Sequence, residues 1–191
     1  MKGFYHLHGA PPYYTNCFVL TGKKGGAVAI DPSAPMTQYH EILKKENAAL
    51  RAILLTHGHW DHVDTLEALR RETGAPVYMA AEDAALFGLK AQQYFADGET
   101  LEIDDMKFQI IKTPGHTPGS VCILCENMLF SGDTLFDGDI GRTDLEGGDP
   151  AAMALSLKKL LREVPGNPKV LPGHESFSDM ETQRRYNPYL R

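Results

Sequence analysis

The chain is short of cysteine, short of basic charge and free of long apolar runs, and each shortage removes a class of protein. Three cysteines in 191 residues are an odd number, which argues against a disulfide framework. Aspartate and glutamate number 25 against 19 lysines and arginines, a formal net charge of −6. Proteins that grip a nucleic-acid backbone carry a basic face, so nucleic acid is not expected as the partner. The longest apolar runs, such as "FVL" and "AILL", fall far short of the roughly 20 residues a membrane-spanning helix needs. The opening "MKGFYHLHGAPPYY" lacks the sustained apolar stretch of a secretory signal. No repeat, low-complexity tract or linker interrupts the chain. These absences predict a cytoplasmic globular protein, one domain over residues 1–191, monomeric by default and without membrane contact.

What is present alternates short apolar runs with helical periodicities. "CFVLTGKKGGAVAID" predicts a hairpin turning at "GKKGG". In "MTQYHEILKKENAAL", Tyr39, Ile42, Leu43 and Leu50 fall near one side of a helix. "RAILLT" predicts a buried strand, and "HVDTLEALRRETG" a helix with Val63, Leu66 and Leu69 on one face, ended by Gly74 and Pro76. "ETLEIDDMKFQIIKT" and "SVCILCENMLFSGD" predict hairpins turning near "DDM" and at "EN". Asp149 as N-cap, with Pro150 at the first helical position, starts a helix. "KVLPGH" is a short strand, and "SDMETQRR" opens a last helix with a capping box from Ser178 to Glu181. Two mixed halves of this kind suggest two sheets packed face to face with helices outside.

The chemistry concentrates in "THGHWDHVD", residues 56–64, with three histidines and two aspartates. His57 and His59 follow an apolar strand at a spacing of two, which in extended backbone puts both on one face. Asp61 and His62 come where the chain turns into a helix, whose N-terminus favours a carboxylate. Singly, each reads as an N-cap or a surface histidine. As a set they read as metal ligands, because clustered imidazoles repel once protonated unless something uses their lone pairs. Three more candidates sit in tight turns after strands: His116 in "KTPGHTPGS", Asp133 in "LFSGDTLF" and His174 in "VLPGHES". Five histidines and two aspartates make a full ligand set for two ions.

These motifs resemble the metallo-β-lactamase-fold hydrolases: HxHxDH at 57–62, then a loop histidine, a "GD" aspartate and a "PGH" histidine. The resemblance covers nearly the whole chain, through "TNCFVL", "TPGHTPGS", "SGDTLF", "GRTD" and "NPYLR". Within that family it points to small bacterial glyoxalase II-like (hydroxyacylglutathione hydrolase-like) proteins. It implies an α/β (α+β) fold, a four-layer αββα sandwich with the metal site at one edge. It implies a first metal held by His57, His59 and His116, a second by Asp61, His62 and His174, and Asp133 bridging both. Asp61 and Asp133 would also serve catalysis. Two zinc ions per chain are implied, with iron or manganese as alternatives that suit the same ligands. Ions about 3.5–4 Å apart share a water and lower its pKa, and the resulting hydroxide attacks an acyl carbonyl whose oxyanion a metal stabilises. The implied substrate is a small-molecule acyl thioester, S-lactoylglutathione or a related hydroxyacyl thioester.

Some positions depart from that pattern. Arg142 stands where larger glyoxalase II enzymes carry a lysine that binds a glutathione carboxylate. A bidentate carboxylate contact is open to it, and so is a structural salt bridge with Asp144 or Asp139. "HESFS" replaces the "HGPxT" common in the group without removing a ligand. Trp60 and Phe136, each beside a candidate ligand, are expected to wall the substrate pocket together with Arg142. Cys122 and Cys125 form a CxxC, but positions three apart in a strand face opposite sides, so both read as buried structural cysteines, as does Cys17. His6 and His8 read as surface or strand residues. Two alternatives stay open: a mononuclear iron persulfide dioxygenase using His57, His116 and Asp133, and a hydrolase of lactones or other esters.

Overall fold

Strands β1 (Gly3–His8), β2 (Asn16–Thr21), β3 (Gly26–Ile30), β4 (Ala49–Leu54), β5 (Val77–Met79) and β6 (Gln93–Tyr94) lie side by side in chain order in one sheet. The second sheet is ordered β12 (Ser178–Asp179), β11 (Lys169–Pro172), β10 (Met128–Gly132), β9 (Val121–Cys125), β8 (Met106–Lys112) and β7 (Thr100–Ile103). These assignments come from a computed structural model that describes residues 1–191. Neighbours β1 to β3 and β7 to β10 pair antiparallel. Strands β3 to β6 are parallel, as are β10 and β11. Parallel neighbours need long returns, and helices supply most of them: α1 (Met36–Glu46), the single turn α2 (Trp60–Val63), α3 (Leu66–Thr73), α4 (Ala81–Phe87) and α5 (Pro150–Glu163). A last helix, α6 (Met180–Tyr186), follows β12.

Strand alternation sorts the core into three apolar layers. Along β2, Cys17 and Val19 face the helix side with Tyr39, Ile42, Leu66 and Leu69. Phe18 and Leu20 face the other sheet, where they meet Phe108, Ile110, Ile123 and Phe130. Beyond the second sheet, Ile111, Cys122 and Leu129 pack on Met153, Leu157 and Leu160 of α5. Three apolar layers separate four structural ones, which is the αββα sandwich. Cys122 and Cys125 sit in different layers, and all three cysteines are free and buried.

The expected hairpins and the α5 start are present, with the Asp149 side chain accepting from the Ala151 and Ala152 amides. Three expectations need correction. Leu50 is not on a helix: α1 stops at Glu46 because Asn47 turns left-handed at φ 48°, and Leu50 enters the same apolar layer from β4. The helix expected across Val63–Arg71 is broken, since Thr65 is pinned to the β3–α1 connection by its Oγ1 donating to the Ala34 carbonyl at 2.7 Å. The last helix is capped by Asp179, which accepts from the Thr182 amide at 2.9 Å, while Ser178 pairs in β12. Residues 76–94, for which the sequence makes no prediction, fold as β5, α4 and β6. No helix is long and apolar enough to cross a membrane.

Candidate metal centre

The C-terminal ends of β3, β4, β8, β10 and β11 open on one edge of the sandwich, the position where open α/β sheets place their ligands. Beyond β4, the Thr56 amide and hydroxyl both donate to Asp31 at 2.7 and 2.6 Å. The Thr56 carbonyl accepts from the Val121 amide of the other sheet at 2.8 Å. His57 and His59 follow, and the turn of α2 then presents Asp61 and His62. Asn16, from "TNCFVL", donates its amide to the Gly173 carbonyl at 2.7 Å and its side chain to the Pro172 carbonyl at 3.0 Å, fixing the "PGH" turn. Gly173 is required by space. A β-carbon there would overlap Asp133 Oδ1 and come within 2.5 Å of the His62 ring.

All seven expected ligands meet at this edge. Donor atoms of His57, His59 and His116 lie within 4.8 Å of one another, and so do those of Asp61, His62 and His174. Asp133 stands between the sets, 3.4 Å from His116 Nε2, 3.4 Å from His62 Nε2 and 3.6 Å from His174 Nε2. Two buried polar atoms here, His57 Nε2 and Asp133 Oδ1, have no hydrogen-bond partner. An unpaired buried polar atom is costly, and a cation answers both.

The hydrogen bonds fix which ring nitrogen faces inward. His62 Nδ1 donates to Asp31 at 3.0 Å, His116 Nδ1 to the Arg142 carbonyl at 2.7 Å, and His174 Nδ1 to the Tyr13 carbonyl at 3.2 Å. Thr56 Oγ1 gives its proton to Asp31, so it accepts from His57 Nδ1 at 3.1 Å. Each of these four rings therefore points its Nε2 at the centre, the orientation that metal-ligating histidines take when an outer oxygen holds Nδ1–H. The donor set fits a divalent cation.

Charge agrees. Burial, then the neighbouring imidazoles, hold His57 well below its ordinary pKa, and burial with His116 brings His59 down to about 4. Burial works against ionised Asp133, yet His62, His174 and His116 outweigh it and hold the carboxyl at about 2.

The centre floors a cleft of about 540 Å³, walled by Tyr13, Trp60, Phe136, Ile140, Arg142 and Leu145. Tyr13 meets Trp60 edge-on with ring centroids 4.8 Å apart. Arg142 reaches the cleft but its Nε and Nη2 engage both oxygens of Asp144 at 2.7 and 2.8 Å. Its partner is Asp144, not Asp139.

A family profile described as "Metallo-beta-lactamase superfamily" matches residues 10–174. The chain belongs to this superfamily. Hydroxyacylglutathione hydrolase GloC of Haemophilus influenzae is 29% identical, over 93% of this chain and 93% of GloC. The crystal structure of BLEG-1 B3 metallo-beta-lactamase superposes with a TM-score of 0.87 at 34% identity, covering 98% of this chain and 99% of that one. TTHA1623 in a di-iron-bound form gives 0.82 at 31% identity, over 97% and 100%. A metallo-β-lactamase-fold chain with these histidine and aspartate clusters implies a divalent metal and a metal-dependent hydrolase.

Sequence reasoning missed residues behind the ligands of this metallo-β-lactamase-fold centre. Asp31 directly follows β3 and orients His62, yet in sequence it reads as an ordinary turn residue after "AVAI". Its signal was position, since it follows a strand just as the ligand loops do. Tyr13 has no candidate ligand beside it in sequence, yet it walls the cleft and its carbonyl holds His174. Asp83 belongs to a helix that the pattern did not reveal.

Proposed function

We propose that this hydrolase cleaves an acyl thioester in the manner of glyoxalase II, with S-lactoylglutathione or a related hydroxyacyl thioester as substrate. The observation that carries the reading is Asp133, set between two three-donor groups on the floor of a cleft. His57, His59 and His116 would hold one ion, Asp61, His62 and His174 a second, with Asp133 shared. Zinc is the first choice, and iron or manganese suit the same donors; the likeness to a di-iron protein makes iron worth loading. A pair of divalent ions supplies an activated water and polarises the acyl carbonyl.

The side chains do the rest. Asp61 and Asp133 line the cleft and would accept hydrogen bonds from the attacking water, aiming its lone pair. Thr15 Oγ1 donates to Asp61 Oδ2 at 3.0 Å and holds that carboxylate in place. Trp60 and Phe136 wall the acyl chain. Arg142 is exposed, and an exposed ion pair contributes little, so a carboxylate on the thiol carrier can replace Asp144 at small cost. Likeness to BLEG-1 favours one second reading, opening of a lactone or lactam ring by the same residues.

The test is loss of the thioester absorbance of S-D-lactoylglutathione with zinc-loaded and iron-loaded protein, beside a His59→Ala control. Turnover that vanishes in the control is expected. Turnover no greater than the control removes glutathione thioesters and directs the assay to ring substrates. Metal content of the same preparations separates the single-iron dioxygenase, which calls for one ion per chain rather than two.

A further inference from the structure

We propose that Asp83, on α4, is a positioning residue for the first metal site: its carboxylate clamps the His57–His59 loop to the His116 loop and so sets the spacing of their imidazoles. The inference rests on the reading that those three histidines hold an ion. Asp83 is fully buried. Its Oδ2 accepts from the Gly58 amide and from Thr117 Oγ1, both at 2.8 Å, and its Oδ1 accepts from the Gly119 amide at 2.6 Å. Gly58 lies between His57 and His59, while Thr117 and Gly119 flank the step after His116. One loop leaves the first sheet and the other leaves the second, and this carboxylate joins them.

Close packing supports the clamp. A β-carbon on Gly119 would come within 2.5 Å of Asp83 Oδ1, and one on Gly58 would overlap the Phe87 ring. Phe87 also packs edge-on against His59, centroids 5.1 Å apart. Both loops are thus seated on α4. Burying a carboxylate without a cationic partner is costly unless hydrogen bonds hold it, and an apolar residue would fill the same space at less cost. Three donors from two ligand loops give the carboxylate a task that an apolar side chain cannot perform. None of the hydrogen-bond partners of Asp83 is a ligand ring, so it acts through the backbone that carries them.

Asp83→Asn tests this with little change in volume, because an amide can accept on only one side of the clamp. In a His174→Ala background, which weakens the second site, zinc affinity of the remaining site is measured by competition with a chromophoric chelator. Adding Asp83→Asn is expected to weaken it about 10–100-fold, the usual effect of losing an outer partner. In a His59→Ala background the same substitution should leave the second site unchanged within about twofold. Thr117→Val removes one donor and should show a smaller loss of the same sign; it decides the matter if Asp83→Asn does not fold. Unchanged affinity at the first site, or equal loss at both, overturns the proposal. No substrate enters this measurement, so failure of the thioesterase reading would leave the result intact. A wild-type chain binding a single zinc would reveal failure of the two-ion reading instead.

Discussion

Four of the five rings in the centre have the outward nitrogen tied to an oxygen, and that makes the proton balance predictable. Burial alone would disfavour a charged His62, yet Asp133 and Asp31 raise its pKa well above 6.5 in the metal-free protein. His174 is raised as well, burial being outweighed by Asp61 and Asp133. A raised pKa means that the folded chain keeps a proton where free imidazole has lost it, so the support this gives the metal-free fold fades as pH climbs through the raised value. Zinc needs the same Nε2 lone pairs. Binding at pH 7 should therefore expel protons, and affinity should fall as the pH is lowered. Calorimetry in buffers of different ionisation enthalpy should show net release; heats independent of buffer would refute it. The seven proposed ligands were legible in the sequence because few other tasks need those residue types at those spacings. Asp31 and Asp83 were not, because an aspartate that accepts backbone hydrogen bonds looks the same in sequence whether it serves a turn or a metal site.

Among the elements, the turns are tuned more closely than the strands they join. Gly173 leaves room for Asp133 and His62, and its peptide carbonyl is held by Asn16. Gly173→Ala should therefore retain the fold by circular dichroism but lose at least one equivalent of bound metal. Full metal content in that variant would show that the turn has slack the packing does not suggest. Hairpins and α5 were legible because strand alternation and the Asp149–Pro150 cap are local signals. Elements such as β5, α4 and β6, of 3, 7 and 2 residues, are too short to develop a period. Leu50 was misplaced for a related reason: it faces the same apolar layer as Tyr39 and Ile42, and periodicity records the layer rather than the element.

At the scale of the molecule, two sheets were legible from the order of elements, and the resemblance named their layering. Which helix covers which face was not legible, because helix-side and sheet-side core positions are equally apolar. Both proposed sites draw on both sheets: His57 and His59 with His116, and Asp61 and His62 with His174. Bound ions should therefore tie the sheets together. At free metal about 100 times the dissociation constant, one site adds about 2.7 kcal/mol. Thermal unfolding should move upward with added zinc and downward with chelator, and a melting point indifferent to both would count against cross-sheet ligation.

The Thr56 carbonyl, accepting from Val121, reaches between the sheets a few residues from the ligands. In a chain stripped of its ions, such hydrogen bonds would be left to hold this edge, and the ligand loops would be the segments to open. Proteolysis acts on segments that open. Metal starvation would then shorten the lifetime of the protein as well as silence it, and empty copies would be cleared ahead of loaded ones.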